Sequence, residues 1–184
     1  MTKPEPWYIH AILYFIIVIL VVVLVKVAII DPKDIVQKEK YYKQESHLRM
    51  KNIKQAEILW NKKYGRFTGN LDSLINFIKT DSMVDSVINA FDSLSNRSAN
   101  PFVALTSGEF TPDSLYRTPK TYSPYILQVD TSIVADTVIG RNNKIKRIDS
   151  TVVIGNRYYL EDPDGYGSVG SLESDALKNT ASWE

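Results

Sequence analysis

The sequence predicts an α+β protein with an N-terminal transmembrane helix, a long stem helix, short helices and a C-terminal antiparallel sheet. Three observations lead to this prediction. An apolar run near the N terminus is long enough to cross a bilayer, a stretch without glycine or proline follows it, and apolar and polar residues alternate in the C-terminal part. The 184 residues suffice for one domain and an anchor. We divide the chain into a tail (1–10), a transmembrane anchor (11–30), a stem helix (31–66) and an α+β head domain (67–184).

The predicted anchor begins at Ala11 and is apolar throughout as far as Val25. Lys26 can extend its charged end to the membrane interface, so the span continues to Ile30 and covers the hydrocarbon core. A buried core helix, the alternative, would need apolar neighbours on every side of this run. No small-x-small cleavage pattern follows the run, and we therefore predict an uncleaved signal anchor.

The stem helix is predicted to start after a break at Asp31 and Pro32, because proline lacks a donor and restricts the residue before it. Pro32 equally suits the first turn of a new helix. The polar segment "QKEKYYKQE" is expected to be exposed, and Gly65 is expected to cap the helix in the left-handed conformation. One helical face carries residues at intervals of three and four: Ile53, Ala56, Trp60 and Tyr64.

The head is predicted to begin with a short helix and to end in a sheet. Leu71, Leu74, Ile75 and Ile78 form a helical stripe that folds this helix back on the domain. From Tyr122 onward the period becomes two residues, which is typical of strands. "GRNN", residues 140–143, has the composition of a hairpin turn, and "IGN", residues 154–156, predicts a second turn or a β-bulge. We predict three or four strands that pack on the stem through Trp60, Tyr64 and the Leu71 stripe.

The segment "IKQAEILWNKKYGRFTGNLDSLINFI" resembles the stem of type II secretion pseudopilins and type IV pilins. In those proteins a helix face of the form Ile-x-x-Ala-x-x-x-aromatic ends in a Gly-Arg-aromatic-Pro/Thr turn, and a short Leu-x-x-Leu helix follows. The resemblance covers this segment and the general order of anchor, helix and sheet. The matching positions are Ile53, Ala56, Trp60, Gly65, Arg66, Phe67, Thr68, Leu71, Leu74 and Ile78.

The chain departs from those families at the prepilin peptidase site. That site is a Gly followed by Phe or Met, with a Glu near the start of the apolar run, and here the run begins "EPWYIHAIL". The resemblance therefore implies a pseudopilin-like fold in a permanently anchored protein. We expect a non-enzymatic, single-pass accessory or structural subunit of a bacterial envelope complex, acting in protein transport or secretion. The alternatives are a pseudopilin-like filament subunit and a calcium- or ligand-binding module on a membrane stalk.

Two signals disagree about the side of the membrane on which the head lies. Lysines after the span, among them Lys33 and Lys38, favour a cytoplasmic head by the positive-inside rule. The short upstream tail and the membrane side implied by the pseudopilin resemblance favour export. We therefore expect a protein of the bacterial inner membrane with a periplasmic C-terminal domain.

The loop "YYLEDPDGYGSVGSLESD" contains candidate metal ligands. Asp162, Asp164 and Gly165 resemble the first half of a calcium loop, in which oxygens at alternate positions surround a hard cation. Glu173 and Asp175 can add ligands, but the spacing does not meet the EF-hand rule. The calcium site predicted here uses Asp162, Asp164 and Glu173. The alternative is an Asp-Pro-Asp-Gly turn without metal, and no other cofactor is expected.

Composition and motifs argue against catalysis and against nucleic-acid binding. The chain has no cysteine, and its two histidines, His10 and His47, are expected at the membrane edge and on the exposed stem, away from a nucleophile or a second zinc ligand. It contains no P-loop and no dinucleotide fingerprint. Basic residues outnumber acidic ones over residues 33–66, and the reverse holds over residues 67–184. The expected partners are other envelope proteins and the lipid bilayer, whose anionic headgroups suit a basic stem. The alternative explanation of the basic residues is a solvated helix face.

Overall fold

The computed structural model describes residues 6–92, 97–106, 108–139 and 145–184. The chain is an α+β protein with a long apolar N-terminal helix, short helices and a small three-stranded antiparallel sheet, as predicted. It falls into two compact units, one ending at Tyr42 and the other comprising Lys43–Glu184. Each unit is described by itself below.

The first unit is helical over all its described residues after Pro6. Helix α1 covers Trp7–Val25, a π-helical turn covers Lys26–Ile30, and helix α2 begins at Asp31. No residue of α1 is buried within the described part of the chain. This helical segment is long and apolar enough to cross a membrane, judged by length and composition.

The predicted break at Asp31 and Pro32 is wrong, because the helix continues through both residues. The π-helical turn lies directly before them, and the backbone N–H of Asp31 donates to the carbonyl oxygen of Lys26. A π turn inserts one residue into the hydrogen-bond ladder, and such turns often accompany local irregularity in long helices. The wider turn lets the helix accommodate a proline, which lacks a donor and crowds the preceding turn.

Helix α2 extends over Asp31–Tyr64, and its C-terminal half lies at the centre of the second unit. The helix ends as predicted, since Gly65 has φ 71° and its N–H donates to the carbonyl oxygen of Asn61 at 2.8 Å. The apolar residues that α2 buries are Met50, Ile53, Ala56 and Leu59.

The sequence predicted that the sheet packs on the aromatic C-terminal end of α2, but a helix packs there instead. Trp60 is partly buried against the core, but Tyr64 is 49% exposed. The ring of Trp60 lies 4.5 Å from that of Tyr64 and 5.2 Å from that of Phe77, measured between centroids. Phe77 belongs to the next helix, which therefore occupies the position that the sequence had suggested for the sheet.

Two short helices follow the turn after α2. Helix α3 covers Leu71–Thr80 and is capped by Asn70, whose side chain accepts from the N–H of Ser73 at 3.0 Å. Helix α4 covers Ser82–Ile88 and is capped by Asp81. The predicted stripe of α3 is confirmed, with Leu74, Ile75 and Ile78 buried together with Phe77.

Two small antiparallel sheets complete the second unit. Strands β1 (Phe91–Asp92) and β2 (Arg97–Ser98) form one, and a 3-10 helix at Pro112–Tyr116 follows. Strands β3 (Ile126–Ile139), β4 (Ile145–Glu161) and β5 (Ser168–Gly170) form the other, in the order β3-β4-β5. A 3-10 helix at Asp175–Leu177 lies near the C terminus. The predicted hairpin turn at residues 140–143 lies outside the described residues.

The predicted bulge at residues 154–156 is confirmed. Val129 pairs with Tyr158 and Thr131 pairs with Ile154, so three residues of β4 face one residue of β3. Gly155, within this bulge, has φ 77°, and its carbonyl oxygen accepts from the N–H of Phe67 at 2.7 Å. The Gly-Arg-Phe-Thr turn after α2 is therefore bound directly to the sheet.

Candidate functional site

Asp162, the first predicted calcium ligand, lies in the loop "YYLEDPDGYGSVGSLESD" and is buried. Its Oδ1 accepts from the N–H of Asp164 at 2.8 Å, and its Oδ2 accepts a hydrogen bond from the hydroxyl of Ser46 in α2. Its own N–H donates to the carbonyl oxygen of Gly167 at 3.0 Å. Burial raises the pKa of Asp162, while the bonds from Ser46 and Asp164 oppose that rise.

Asp164 lies on the same turn as Asp162 but binds a different segment. Its Oδ1 accepts from the hydroxyl of Thr121 at 2.5 Å, and its Oδ2 accepts from the N–H of Thr121 at 3.3 Å. Burial raises the pKa of Asp164, but hydrogen bonds from Thr121 and Thr118 outweigh it, so the pKa lies below its usual value. The turn that contains Asp162 and Asp164 therefore joins the loop after β4 to the segment before β3 by hydrogen bonds.

The third predicted ligand, Glu173, lies beside Arg157 of β4. The carbonyl oxygen of Glu173 accepts from Nη1 of Arg157 at 2.7 Å. The Nε of the same guanidinium lies 3.5 Å from a carboxylate oxygen of Asp175 and 3.2 Å from one of Asp130. A cation of the protein therefore already lies among the acidic groups at this end of the loop.

Within the described ranges, no three acidic or histidine side chains gather in a way that could hold a metal ion. Asp162 and Asp164 are neighbours, and the carboxylates of both accept hydrogen bonds from protein donors. Glu173 meets a different set of partners. The calcium site remains a prediction of the sequence, and the alternative Asp-Pro-Asp-Gly turn accounts for the observed bonds between residues 162 and 165.

Helix α2 presents a row of buried polar residues that the sequence analysis missed, namely Glu45, Ser46, Asn52 and Glu57. Each binds a loop of the second unit. Glu45 accepts from the N–H of Thr106 at 2.8 Å, and Asn52 exchanges two hydrogen bonds with the backbone of Val103 at 2.8 and 2.9 Å. Glu45 also shows that the segment "QKEKYYKQE", expected to be exposed, ends in a buried residue. The signal that could have found these four residues is their helical spacing from the apolar residues of α2, which places them beside its buried face.

Glu57 differs from the other three because one of its oxygens, Oε1, has no hydrogen-bond partner among the described atoms. Its Oε2 accepts from the N–H of Thr68 at 3.1 Å. Burial raises the pKa of Glu57 to about 8, although the bond from Thr68 acts in the opposite direction. Glu57 is therefore mostly protonated in the folded protein at neutral pH.

The expectation that His47 lies on an exposed stem is wrong. Its ring is stacked on Trp183, with centroids 3.9 Å apart and planes 7° apart, and its Nε2 lies 2.8 Å from the carbonyl oxygen of Tyr166. The C-terminal segment folds over this part of α2 and covers it. His47 therefore packs against the C-terminal segment and holds it on α2.

An open groove of about 550 Å³ lies between α2 and the segment before β3, and we call it the Arg49 groove. Arg49 is held by Glu45, at 3.0 Å and 3.1 Å, and by the carbonyl oxygen of Arg117 at 2.6 Å. Tyr122, on the rim, is 66% exposed and is the one described non-glycine residue with positive φ, at 58°. The lining residues are Arg49, Asp113, Ser114, Tyr116, Arg117, Tyr122 and Pro124.

In the second unit, the buried polar residues of α2 hold several loops against one helix, and the Arg49 groove lies beside them. The groove combines arginine and tyrosine, residue types that are enriched at protein interfaces.

The chain was compared with protein-family models, with curated proteins and with solved structures, and nothing in any of the three comparisons matches it.

Proposed function

We propose that this chain is a non-enzymatic, single-pass membrane-anchored accessory or structural subunit of a bacterial envelope complex, acting in protein transport or secretion. The observation that carries the proposal is the apolar surface of α1, where no residue of Trp7–Val25 is buried. Leaving one large apolar side chain in water instead of burying it costs about 1.5–3 kcal/mol. A helix that is apolar on all sides needs an apolar medium around it, and a bilayer supplies one along its whole length.

The second unit supports a binding or structural role over a catalytic one. The buried polar residues of α2 for which partners are described hold loops of the chain itself, as Glu45 holds Thr106 and Ser46 holds Asp162. The Arg49 groove is open to solvent, and its arginine and tyrosine side chains are of the types that are enriched where two proteins meet.

The proposed location is the bacterial inner membrane, with the second unit in the periplasm. The likeness of residues 53–78 to the stem of pseudopilins supports export. The lysines after the span oppose it. The two possibilities place the same folded unit on opposite sides of one membrane, so a protease can distinguish them.

Membrane anchoring is tested by washing isolated membranes with alkaline carbonate. We expect the full chain to stay in the pellet until detergent is added, because carbonate strips peripheral proteins and leaves spanning helices in place. A matched variant with Leu20 and Val21 both changed to Lys should leave the pellet, since each charge at the helix centre costs about 2.5–3.5 kcal/mol. Quantitative release of the unaltered chain by carbonate would overturn the proposal.

Orientation and partnership are tested in cells. Protease added to spheroplasts should cut the chain beyond residue 42, while a cytoplasmic marker stays intact. Survival of that part until the membrane is permeabilised would place the second unit in the cytoplasm. A detergent pull-down of the full chain should then recover envelope proteins. Arg117→Ala, in the Arg49 groove, should weaken their recovery more than Lys178→Ala, which lies outside that groove.

A further inference from the structure

Tyr122, on the rim of the Arg49 groove, has a backbone conformation that its side chain does not favour. Its φ is 58°, in the left-handed region that bulky residues rarely adopt, so holding a tyrosine there costs free energy. Burial of the ring does not offset this cost, because the residue is 66% exposed. Strained residues of this kind persist only where neighbouring contacts hold them, and they are concentrated at ligand-binding sites.

Two hydrogen bonds hold the turn that contains Tyr122. Nη1 of Arg117 donates to the carbonyl oxygen of Tyr122 at 3.0 Å. The N–H of Thr118 donates to the carbonyl oxygen of Ser123 at 2.8 Å and closes the turn. These bonds fix the backbone of Tyr122, so its exposed ring lies on a constrained turn beside the groove.

The guanidinium of Arg117 has a second edge that can donate hydrogen bonds. In any arginine the Nε and Nη2 atoms lie along one edge, and together they can donate two parallel bonds to a carboxylate. In Arg49 this edge donates to Oε1 of Glu45, at 3.1 and 3.0 Å, while Nη1 donates to the carbonyl oxygen of Arg117. In Arg117 only Nη1 has an acceptor among the described residues. The edge that holds a carboxylate in Arg49 is therefore available in Arg117.

The charges that line the groove favour a ligand with one negative charge. Arg49 is paired with the buried carboxylate of Glu45. Asp113 is paired with Lys79. Arg117, the other lining cation, has no carboxylate partner in the described part of the chain. A phosphate monoester carries about two negative charges at neutral pH, which a single arginine near Asp113 does not balance, whereas a carboxylate carries one.

We propose that the Arg49 groove binds an acidic side chain, aspartate or glutamate, of a partner protein. The Nε and Nη2 atoms of Arg117 donate to its carboxylate, and the ring of Tyr122 packs on the neighbouring residue of the partner. Tyr116 and Pro124, which also line the groove, supply further apolar surface for that residue. This inference rests on the part of the proposed function that makes the groove a protein contact, and it is independent of the membrane anchor.

The ligand class is tested with a blocked peptide, acetyl-Gly-Tyr-Glu-Pro-Gly-amide, added to the isotope-labelled full chain in mild detergent. We expect saturable changes in the amide NMR shifts of residues 113–124. The same peptide with glutamine in place of glutamate should bind at least about tenfold more weakly, because hydrogen bonds to a charged group are stronger. A version with phosphoserine in that place should bind no more tightly than the glutamate peptide. Equal affinity for the glutamate and glutamine peptides, tighter binding of phosphoserine, or no saturable shift change would each overturn the proposal.

Two variants test the roles of Arg117 and Tyr122. Arg117→Lys keeps the charge but lacks an edge with two donors, so its affinity for the glutamate peptide should fall about tenfold. Tyr122→Asn removes the ring but suits a positive φ, so it should melt no lower than the unaltered chain while it binds the peptide more weakly. Unchanged peptide affinity in either variant would contradict the proposal.

The outcome also separates this inference from the proposed function. If the peptide failed to bind while the pull-down still recovered envelope proteins, the inference would be wrong and the proposed function would stand. If carbonate released the full chain while the peptide still bound with the expected preference for glutamate, the membrane anchor would be wrong and the inference would stand.

Discussion

Glu57 lies in the core of the second unit with only one carboxylate oxygen bonded, and its pKa is raised to about 8 by burial. A carboxyl whose folded pKa exceeds its unfolded value of 4.5 binds a proton more tightly when folded. Its contribution to stability is therefore full below pH 4.5 and is lost as the pH rises towards 8. The protein should be less stable at pH 8 than at pH 5 on account of this residue.

Glu57→Gln tests this expectation, since glutamine resembles the protonated acid and does not titrate. The free energy of unfolding of the variant minus that of the unaltered chain should rise by a few kcal/mol, to order of magnitude, between pH 5 and pH 8. Denaturant unfolding of both proteins at each pH gives this difference, in which the titration of other groups cancels. A constant difference across the range would show that Glu57 is ionised in the folded protein.

Gly155 is required by the approach of two backbones. A Cβ at this position would lie 2.5 Å from the carbonyl oxygen of Phe67, and φ is 77°. Gly155→Ala should therefore destabilise the protein by more than the roughly 1 kcal/mol that positive φ alone costs. Gly65→Ala is the matched control, because φ there is 71° and nothing lies within 4 Å of an added Cβ. Equal losses of stability in thermal unfolding of the two variants would refute the steric explanation.

Single residues show where sequence reasoning reaches its limit. The left-handed cap at Gly65 was predictable, because a glycine directly after a helical pattern has one common explanation. The burial of Glu45 and Glu57 was not, because a glutamate in a helix is usually solvated and only the position of distant loops decides otherwise. His47 is similar, since its stacking partner Trp183 lies far away in the sequence.

Among the secondary-structure elements, α3 depends on its N-cap. Asn70 accepts from the N–H of Ser73 at 3.0 Å, so Asn70→Ala leaves a donor of the first turn without this partner. We expect a loss of about 1 kcal/mol in thermal or denaturant unfolding. Asn76→Ala, at an exposed position inside the same helix, should be neutral or slightly stabilising, because alanine is the better helix former. A comparable loss in both variants would mean that the cap contributes nothing specific.

Elements with a clear period were predictable and their contacts were not. The stripe of α3, the strands after Tyr122 and the bulge near Gly155 follow from spacing and residue type. The break expected at Pro32 did not occur, because a π-helical turn accommodates the proline and no sequence pattern marks such a turn. The position of Tyr64 against α3 depended on where α3 folds back, which is a property of the tertiary structure.

For the whole molecule, the division at residue 42 predicts that the second unit folds alone. Its core is drawn from residues 50–181, and all the buried polar groups of α2 come after residue 44. A chain of residues 43–184 should therefore be soluble without detergent and should melt cooperatively, within a few degrees of the full chain in detergent.

The matched test begins the chain at residue 51 instead. That shorter chain retains most of the apolar core but loses Glu45, Ser46 and His47, and with them the bonds to Thr106, Asp162 and Tyr166. It also loses Met50, a fully buried side chain whose truncation alone costs about 2–5 kcal/mol. Since a domain of this size is stable by only about 5–15 kcal/mol, we expect it to lose its cooperative transition. If residues 51–184 melted like residues 43–184, the first two turns of α2 in this unit would be dispensable. If residues 43–184 failed to fold while the full chain did fold, the second unit would need the anchor for its stability.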